Sequence, residues 1–332
     1  MNRSRGSSQD SGSRGNGSHD DGTWHDDGTW HGDGTDRAPD RPRGTDAADG
    51  PGPGAPPGRM LRVDGVPLHV LQEGAGPVVV LCGGLGMAWF DWEAVAALLA
   101  PDRTVVRFDR PGLGLSAPAP GPPTAAAEAD RIAHVLDALG HAGPATVVGH
   151  SMAAFHAEAF ARLHPHRCAG LVLADGSLAG PVRPVLPRAV RHAWAGGVAG
   201  AASAAGLPRA LGPAGRRLVS RAGALGPHPA HPWERATYRT SRVVRACALE
   251  NAAHPYQAAE VAALRPERAL PPVPVTVLAA YGGGETPREL RWLERQRGLA
   301  AELGGRFVVA APAGHLLMAD APHAVARAVR EL

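Results

Sequence analysis

The chain has 332 residues, a formal net charge of +3 and 44% hydrophobic residues, which allows one large domain or two small ones around a sizeable core. Every one of its 34 basic residues is arginine, a bias that follows GC-rich coding, and no basic run with interleaved aromatics is present, so nucleic acid is not an expected partner. Three scattered cysteines, Cys82, Cys168 and Cys247, exclude a disulfide framework and a paired metal-ligand spacing and point to a reducing cytoplasm.

Residues 1–58 are rich in Ser, Gly, Asp, Arg and Pro and are expected to be disordered. Six Arg against ten Asp give this stretch a charge of −4, leaving +7 on 59–332. A short unit repeats within it: Asp21-Gly22-Thr23-Trp24-His25-Asp26, then Asp27-Gly28-Thr29-Trp30-His31-Gly32. So polar a segment reads as a solvated linker rather than a weak metal site or a Trp-mediated docking motif. Folded-type sequence begins at Met60, which is also a plausible translation start. No apolar h-region opens the chain, so no signal peptide is expected. The stretch 193–207 is too short and too rich in Gly and Ala for stable membrane insertion.

From Met60 the periodicity changes. Residues 61–63 and 66–72 flank Asp64-Gly65 and predict a hairpin. Residues 78–81 form an apolar strand that ends at Cys82-Gly83-Gly84. A helical period covers 90–99, and 104–108 is another strand. Residues 125–139 predict a helix closed by Gly140. Strands follow at 145–148, at 171–174 ending on Asp175, at 273–279 and at 306–310, and a last helix at 321–332. Short apolar strands alternating with helices predict an α/β fold, a mostly parallel sheet covered on both faces. The interval 177–268 breaks the alternation. It holds helix-like pieces at 188–205, 209–222 and 233–253 and reads as an inserted helical cap, leaving 59–176 and 269–332 as the core. Its first helical piece, 188–205, is too weakly amphipathic to suggest docking on a membrane surface.

The most informative motif is Val147-Val148-Gly149-His150-Ser151-Met152-Ala153. An apolar run ends in small-x-Ser-x-small and a helix-favouring segment follows, the layout of a serine on a sharp strand-to-helix turn. Three further motifs occur in a consistent order: Leu81-Cys82-Gly83-Gly84-Leu85-Gly86, then Phe108-Asp109-Arg110-Pro111-Gly112-Leu113-Gly114-Leu115-Ser116, and Ala313-Gly314-His315 after the final strand. On these four motifs, residues 60–332 resemble a capped member of the α/β-hydrolase superfamily.

The resemblance implies a serine hydrolase acting on a small-molecule carboxylic ester or related acyl bond, with no metal or organic cofactor. Ser151 would be the nucleophile and His315 its general base. Two acids compete for the third place. Asp175 ends a core strand and would be held rigidly; Glu285, after three glycines, is the runner-up. The oxyanion hole would use the backbone N–H groups of Leu85 and Met152. Asp109 and Arg110 would pin the turn near the oxyanion segment, and Cys82 would pack in the core. Trp194, Trp233, Tyr238 and Tyr256 in the cap would line a substrate pocket or pack the cap onto the core. A serine nucleophile disfavours the haloalkane dehalogenases and related epoxide hydrolases, which use Asp. The chain also departs from the His-Gly-Gly-Pro-Gly segment of proline iminopeptidases, with Leu85 in place of the Pro. Carbon–carbon bond hydrolases, acyltransferases, perhydrolases and non-catalytic receptors share the fold, so fold alone does not choose among them. The oligomeric state is not legible.

Overall fold

The structure is a computed structural model that describes residues 23–24, 30–31, 54–180, 186–226 and 228–332. Most of the expected disordered segment 1–58 lies outside the described residues. Within the unit Met1–Arg43, two-residue strands β1 (Thr23–Trp24) and β2 (Trp30–His31) pair antiparallel, Trp24 opposite Trp30, so the two copies of the repeat pair with each other.

The unit Gly44–Leu332 carries an eight-stranded sheet. Strands β3 (Arg59–Val63) and β4 (Val66–Glu73) form the expected hairpin, with Asp64 and Gly65 both at positive φ in its turn, as a two-residue loop requires. Then come β5 (Val78–Cys82), a 3-10 turn at Trp89–Trp92, α1 (Glu93–Leu99), β6 (Thr104–Phe108), α2 (Ala125–Ala138), β7 (Ala145–His150), α3 (Ala153–Leu163) and β8 (Cys168–Ala174). Helices α4 (Arg188–Ala204), α5 (Leu207–Gly223), α6 (Glu234–Tyr238) and α7 (Ser241–Glu267) fill the interval before β9 (Val275–Ala280). The chain continues through α8 (Pro287–Glu302), β10 (Arg306–Ala310), α9 (Leu317–Asp320) and α10 (Pro322–Arg330).

The strand order is β10-β9-β8-β7-β5-β6-β4-β3, parallel from β10 to β6 and antiparallel at β4 and β3. The parallel strands are nearly continuous runs of Val, Leu and Ala because helices cover both faces. On one face α2 and α3 contribute Ile132, Leu136, Phe155 and Phe160; on the other α1 and α10 contribute Val95, Leu99, Val325 and Val329. All are buried, and full burial of such a side chain is worth roughly 1.5–3 kcal/mol. Strand order reverses at β5, whose neighbours are β6 and β7. The crevice at the carboxyl ends of strands on either side of such a reversal is where open α/β sheets bind ligands. Cys82 and His150 end β5 and β7 there.

The third helical piece of the interval differs from its sequence-based bounds. The helix expected over 233–253 is broken at Arg239 and Thr240, where the Thr240 hydroxyl accepts from the Val243 N–H and starts a new helix. That helix then runs on to Glu267 through Pro255. Proline ordinarily ends a helix, but here packing of α7 against α3 and α4 through Ala252, Ala258 and Val261 outweighs the lost bond.

Candidate active site

The turn between β7 and α3 is built by contact distances that side chains would not permit. A Cβ on Gly149 would lie 2.4 Å from the Ala153 carbonyl oxygen and 2.8 Å from the Ala157 Cβ, so only glycine lets strand and helix cross this closely. Ser151 occupies the apex at φ 52°, a left-handed conformation rare outside glycine and characteristic of functional sites. Its amide donates to the Ala174 carbonyl at 3.2 Å, tying the apex to β8. Met152 follows at the N-terminal end of α3, where the partial positive charge of the helix favours a developing anion.

Three side chains from distant parts of the chain meet here. His315 Nε2 is 3.0 Å from Ser151 Oγ, and His315 Nδ1 is 2.6 Å from Asp175 Oδ2. Asp175 leaves β8 at φ 45° and is buried, while His315 stays open to solvent. The other carboxylate oxygen of Asp175 accepts from the Ala280 N–H at 3.0 Å and the Trp292 indole N–H at 2.8 Å. The acid is therefore oriented from both sides by donors. Glu285 sits exposed in the loop after β9, and the carboxylate beside His315 is that of Asp175.

His150 was not singled out by the sequence, yet it fixes the loop that carries His315. Its Nε2–H donates to the His315 carbonyl at 2.8 Å, which places the proton on Nε2 and turns Nδ1 toward Met87 Sδ at 3.2 Å. Burial, reinforced by the positive charge that His315 and Arg110 bring near, pushes the His150 pKa down to about 3. The ring thus remains a neutral brace. Asp320 holds the same loop from the other side, accepting from the Gly314 N–H at 2.8 Å.

The segment after β5 is clamped by charge. Arg110 donates to the Gly83 carbonyl, and to the Gly84 carbonyl at 2.7 Å. The same guanidinium forms a two-pronged pair with Glu250 of α7, at 2.7 and 3.0 Å. Glu250 in turn accepts from the Gly86 N–H at 2.9 Å, and the Tyr238 hydroxyl donates to the Gly86 carbonyl at 2.7 Å. Burial alone would lower the Arg110 pKa; the Glu250 carboxylate more than offsets this and keeps the guanidinium charged. Glu250 shows no signal in the sequence because its partners lie some 140 or more positions away. Between the clamped glycines, the Leu85 N–H has no acceptor among the described residues, and neither has the Met152 N–H. A buried amide without a partner is rare, and Met152 is fully buried.

The remaining candidates separate. Asp109 is structural: its carboxylate accepts from the Trp89 and Leu115 amides and pairs with His69 Nδ1, at 2.8–2.9 Å. Cys82 is in the core, and burial pushes its thiol up to about 12. Tyr238 is a buried brace on Gly86, and Trp233 packs half-buried beside Trp89 and Phe90. Tyr256 donates to the Leu186 carbonyl. Trp194 is 70% exposed on α4, so no aromatic wall over Ser151 is built from it. Among the described residues, no three His, Cys, Asp or Glu side chains converge as a metal site requires, and no helix is long and apolar enough to cross a membrane.

Comparison with known proteins agrees with this architecture. Cfl2 from Burkholderia cenocepacia superposes with a TM-score of 0.63 at 26% identity, over 82% of this chain and 94% of that one. A thermophilic esterase from Thermogutta terrifontis gives 0.61, also at 26% identity, over 82% and 96%. Epoxide hydrolase B of Mycobacterium tuberculosis is 36% identical over 126 residues, which is 34% of each chain. The matches to curated relatives thus span about a third of their length or less. The alpha/beta hydrolase family matches residues 78–328. With the eight-stranded sheet, the glycine-dependent turn at Ser151 and a match over most of its length, the chain belongs to the alpha/beta hydrolase family.

Proposed function

We propose that the chain is a serine hydrolase that cleaves a carboxylic ester or related acyl bond through an acyl-enzyme on Ser151. The observation that carries this reading is the continuous relay Ser151–His315–Asp175, with links of 3.0 and 2.6 Å. In the first step His315 Nε2 takes the hydroxyl proton as Ser151 Oγ attacks the acyl carbon. Asp175 holds the Nδ1–H tautomer and stabilises the imidazolium. The Leu85 and Met152 amides receive the oxyanion, each such donor typically contributing about 3 kcal/mol to the transition state. His315 then protonates the leaving group. Water repeats the sequence on the acyl-enzyme, and Ser151 is regenerated. No step needs a metal or an organic cofactor.

The Thermogutta structure bears the name esterase, which favours ester cleavage. Similarity to an epoxide hydrolase covers only part of the chain, and a serine at the turn fits acyl transfer better than epoxide opening. A complete relay is also more than a non-catalytic receptor on this fold needs. In the same reading, 59–176 and 269–332 form the core and 177–268 the cap that selects substrate. The free thiols of Cys82, Cys168 and Cys247 fit a cytoplasmic location. The test is a panel of p-nitrophenyl esters of increasing acyl length with wild type and Ser151→Ala. Turnover that disappears in the variant supports the proposal; turnover that persists in it, or an inactive wild type, rejects it.

A further inference from the structure

The interval before Glu234 has an unusual charge pattern. Residues 176–233 contain seven arginines and no Asp or Glu, in a chain that has 31 carboxylates elsewhere. Helix α5 lies within it and has two different faces. At 100° per residue, Leu207, Leu211 and Leu218 fall within about 40° of one another. Gly212, Arg216 and Gly223 fall on the opposite side. The contacts agree: a Cβ on Gly212 would lie 1.9 Å from the Tyr238 carbonyl, Arg216 pairs with Asp91, and the Gly223 carbonyl accepts from the Leu316 N–H at 2.8 Å. The glycine-lined face is therefore packed inward, and the leucine face looks out.

That outer face is apolar and wet. Leu211 is 59% and Leu218 70% exposed, with Leu207 beside them. Arg217 and Arg221, both exposed, border one side of that face. Among the described residues only Arg217 has a carboxylate within reach, Glu234 at 3.9 Å. Helix α4 adds Val190, Trp194 and Val198 at four-residue spacing, each at least half exposed. Exposed leucines bordered by Arg217 and Arg221, with no carboxylate on the helix itself, suit an interface that is apolar within and anionic at its edge.

We propose that the outer face of α5 docks the protein on an anionic phospholipid surface, without insertion across it. The arginines would meet the headgroup phosphates, and the leucines would enter the acyl boundary. Because the inner end of α5 bonds the residue after His315, docking would bring the candidate active site next to the lipid. The charge asymmetry decides among occupants: a second copy would set arginine against arginine.

The test is co-sedimentation of the full chain with vesicles of phosphatidylcholine alone or of equimolar phosphatidylcholine and phosphatidylglycerol, alongside sedimentation velocity without lipid. The expected result is binding to the anionic vesicles only, weakened by salt, with a blue-shifted Trp emission that Trp194→Phe diminishes. Leu211→Gln/Leu218→Gln should weaken binding about tenfold or more, while turnover of a short soluble ester stays unchanged. Arg217→Gln/Arg221→Gln should weaken it by a second route, so the result does not depend on one variant folding. Absence of binding to anionic vesicles overturns the proposal, as does equal binding to both compositions. A lipid-free dimer dissolved by the leucine variant assigns the face to a second copy, and binding to an acidic protein in place of lipid assigns it to that class; either result overturns the proposal. Because the readout is binding, failure here leaves the hydrolase reading untouched, and an inactive enzyme leaves this one untouched.

Discussion

Glu250→Gln separates the stability of the site from its chemistry. Arg110 and Glu250 are each about 5% exposed, so the substitution leaves a guanidinium enclosed without its counter-charge. Breaking a buried pair from one side costs about 3–5 kcal/mol. The glutamine carbonyl can still accept the Gly86 N–H that Glu250 holds at 2.9 Å, but its amide group then faces Arg110. Arg110→Met/Glu250→Met removes both charges together and avoids the desolvation penalty of an unpaired ion, but it also removes every bond the pair makes, so it should be no more stable than Glu250→Gln. It leaves the Gly83 and Gly84 carbonyls without their donor and the Gly86 N–H without its acceptor, at roughly 1–3 kcal/mol each, and the segment 83–86 is no longer clamped. Turnover should therefore stay about 10- to 100-fold low in the double variant, less than the roughly 10²–10³-fold lost when an oxyanion donor is removed outright. Urea unfolding reads the first effect and kcat on an activated ester the second. Affinity for a trifluoromethyl ketone, which mimics the tetrahedral state, should fall in parallel with kcat/KM while KM changes little. A stable double variant with wild-type kcat would refute the clamp as a positioning device.

Other consequences can be checked separately. Asp175→Asn should lower kcat by about 10³–10⁴-fold by favouring the wrong His315 tautomer, whereas Glu285→Gln should leave it within about twofold; equal losses in both would contradict the assignment of the acid. Trp292→Phe removes one of two donors to Asp175 Oδ1 and should cost roughly 1 kcal/mol in stability, read by thermal melting, with a modest loss of kcat. Gly149→Ala drives a methyl group into the Ala153 carbonyl and should abolish soluble expression or reduce stability by more than about 3 kcal/mol. The buried rings of His150 and His156 have pKa values pushed down to about 3, in both cases chiefly by burial. The unfolded chain binds protons at these sites below about pH 6.5 while the folded one does not, so stability falls with decreasing pH between about 6.5 and 3. The slope is at most about 1.4 kcal/mol per pH unit for each ring. Urea midpoints measured across that window, with His156→Gln as control, should show a shallower dependence in the variant.

The parts of the fold and site that are legible in the sequence are those imposed by the local backbone. Gly149 and Ser151 announce a strand-to-helix crossing because few residues tolerate it. Asp64-Gly65 announces a hairpin, and Gly140, at positive φ, marks where the helix α2 is closed. Rigidity also separates the two acids: Asp175 is carried on a core strand paired with both β7 and β9. What sequence leaves hidden is contact across long separations. Trp292 reaches Asp175 over 117 positions, His150 reaches the His315 carbonyl over 165, and Glu250 reaches Gly86 over 164. None of these has a spacing that periodicity could reveal. The aromatics of the interval 177–268 illustrate the same gap. Composition cannot distinguish Tyr238, a buried brace, from Trp194, an exposed ring, because both are aromatics on helices that differ only in what packs against them.

The central claim is that Ser151 becomes covalently acylated with His315 as its base. Intact-protein and peptide mass spectrometry after brief exposure to an activated ester, quenched in acid, reads this directly. The account predicts a mass increase of one acyl group located on Ser151, absent in Ser151→Ala and greatly slowed in His315→Ala. Ester turnover with no acyl group on Ser151 at any quench time, or the group on another residue, would contradict it.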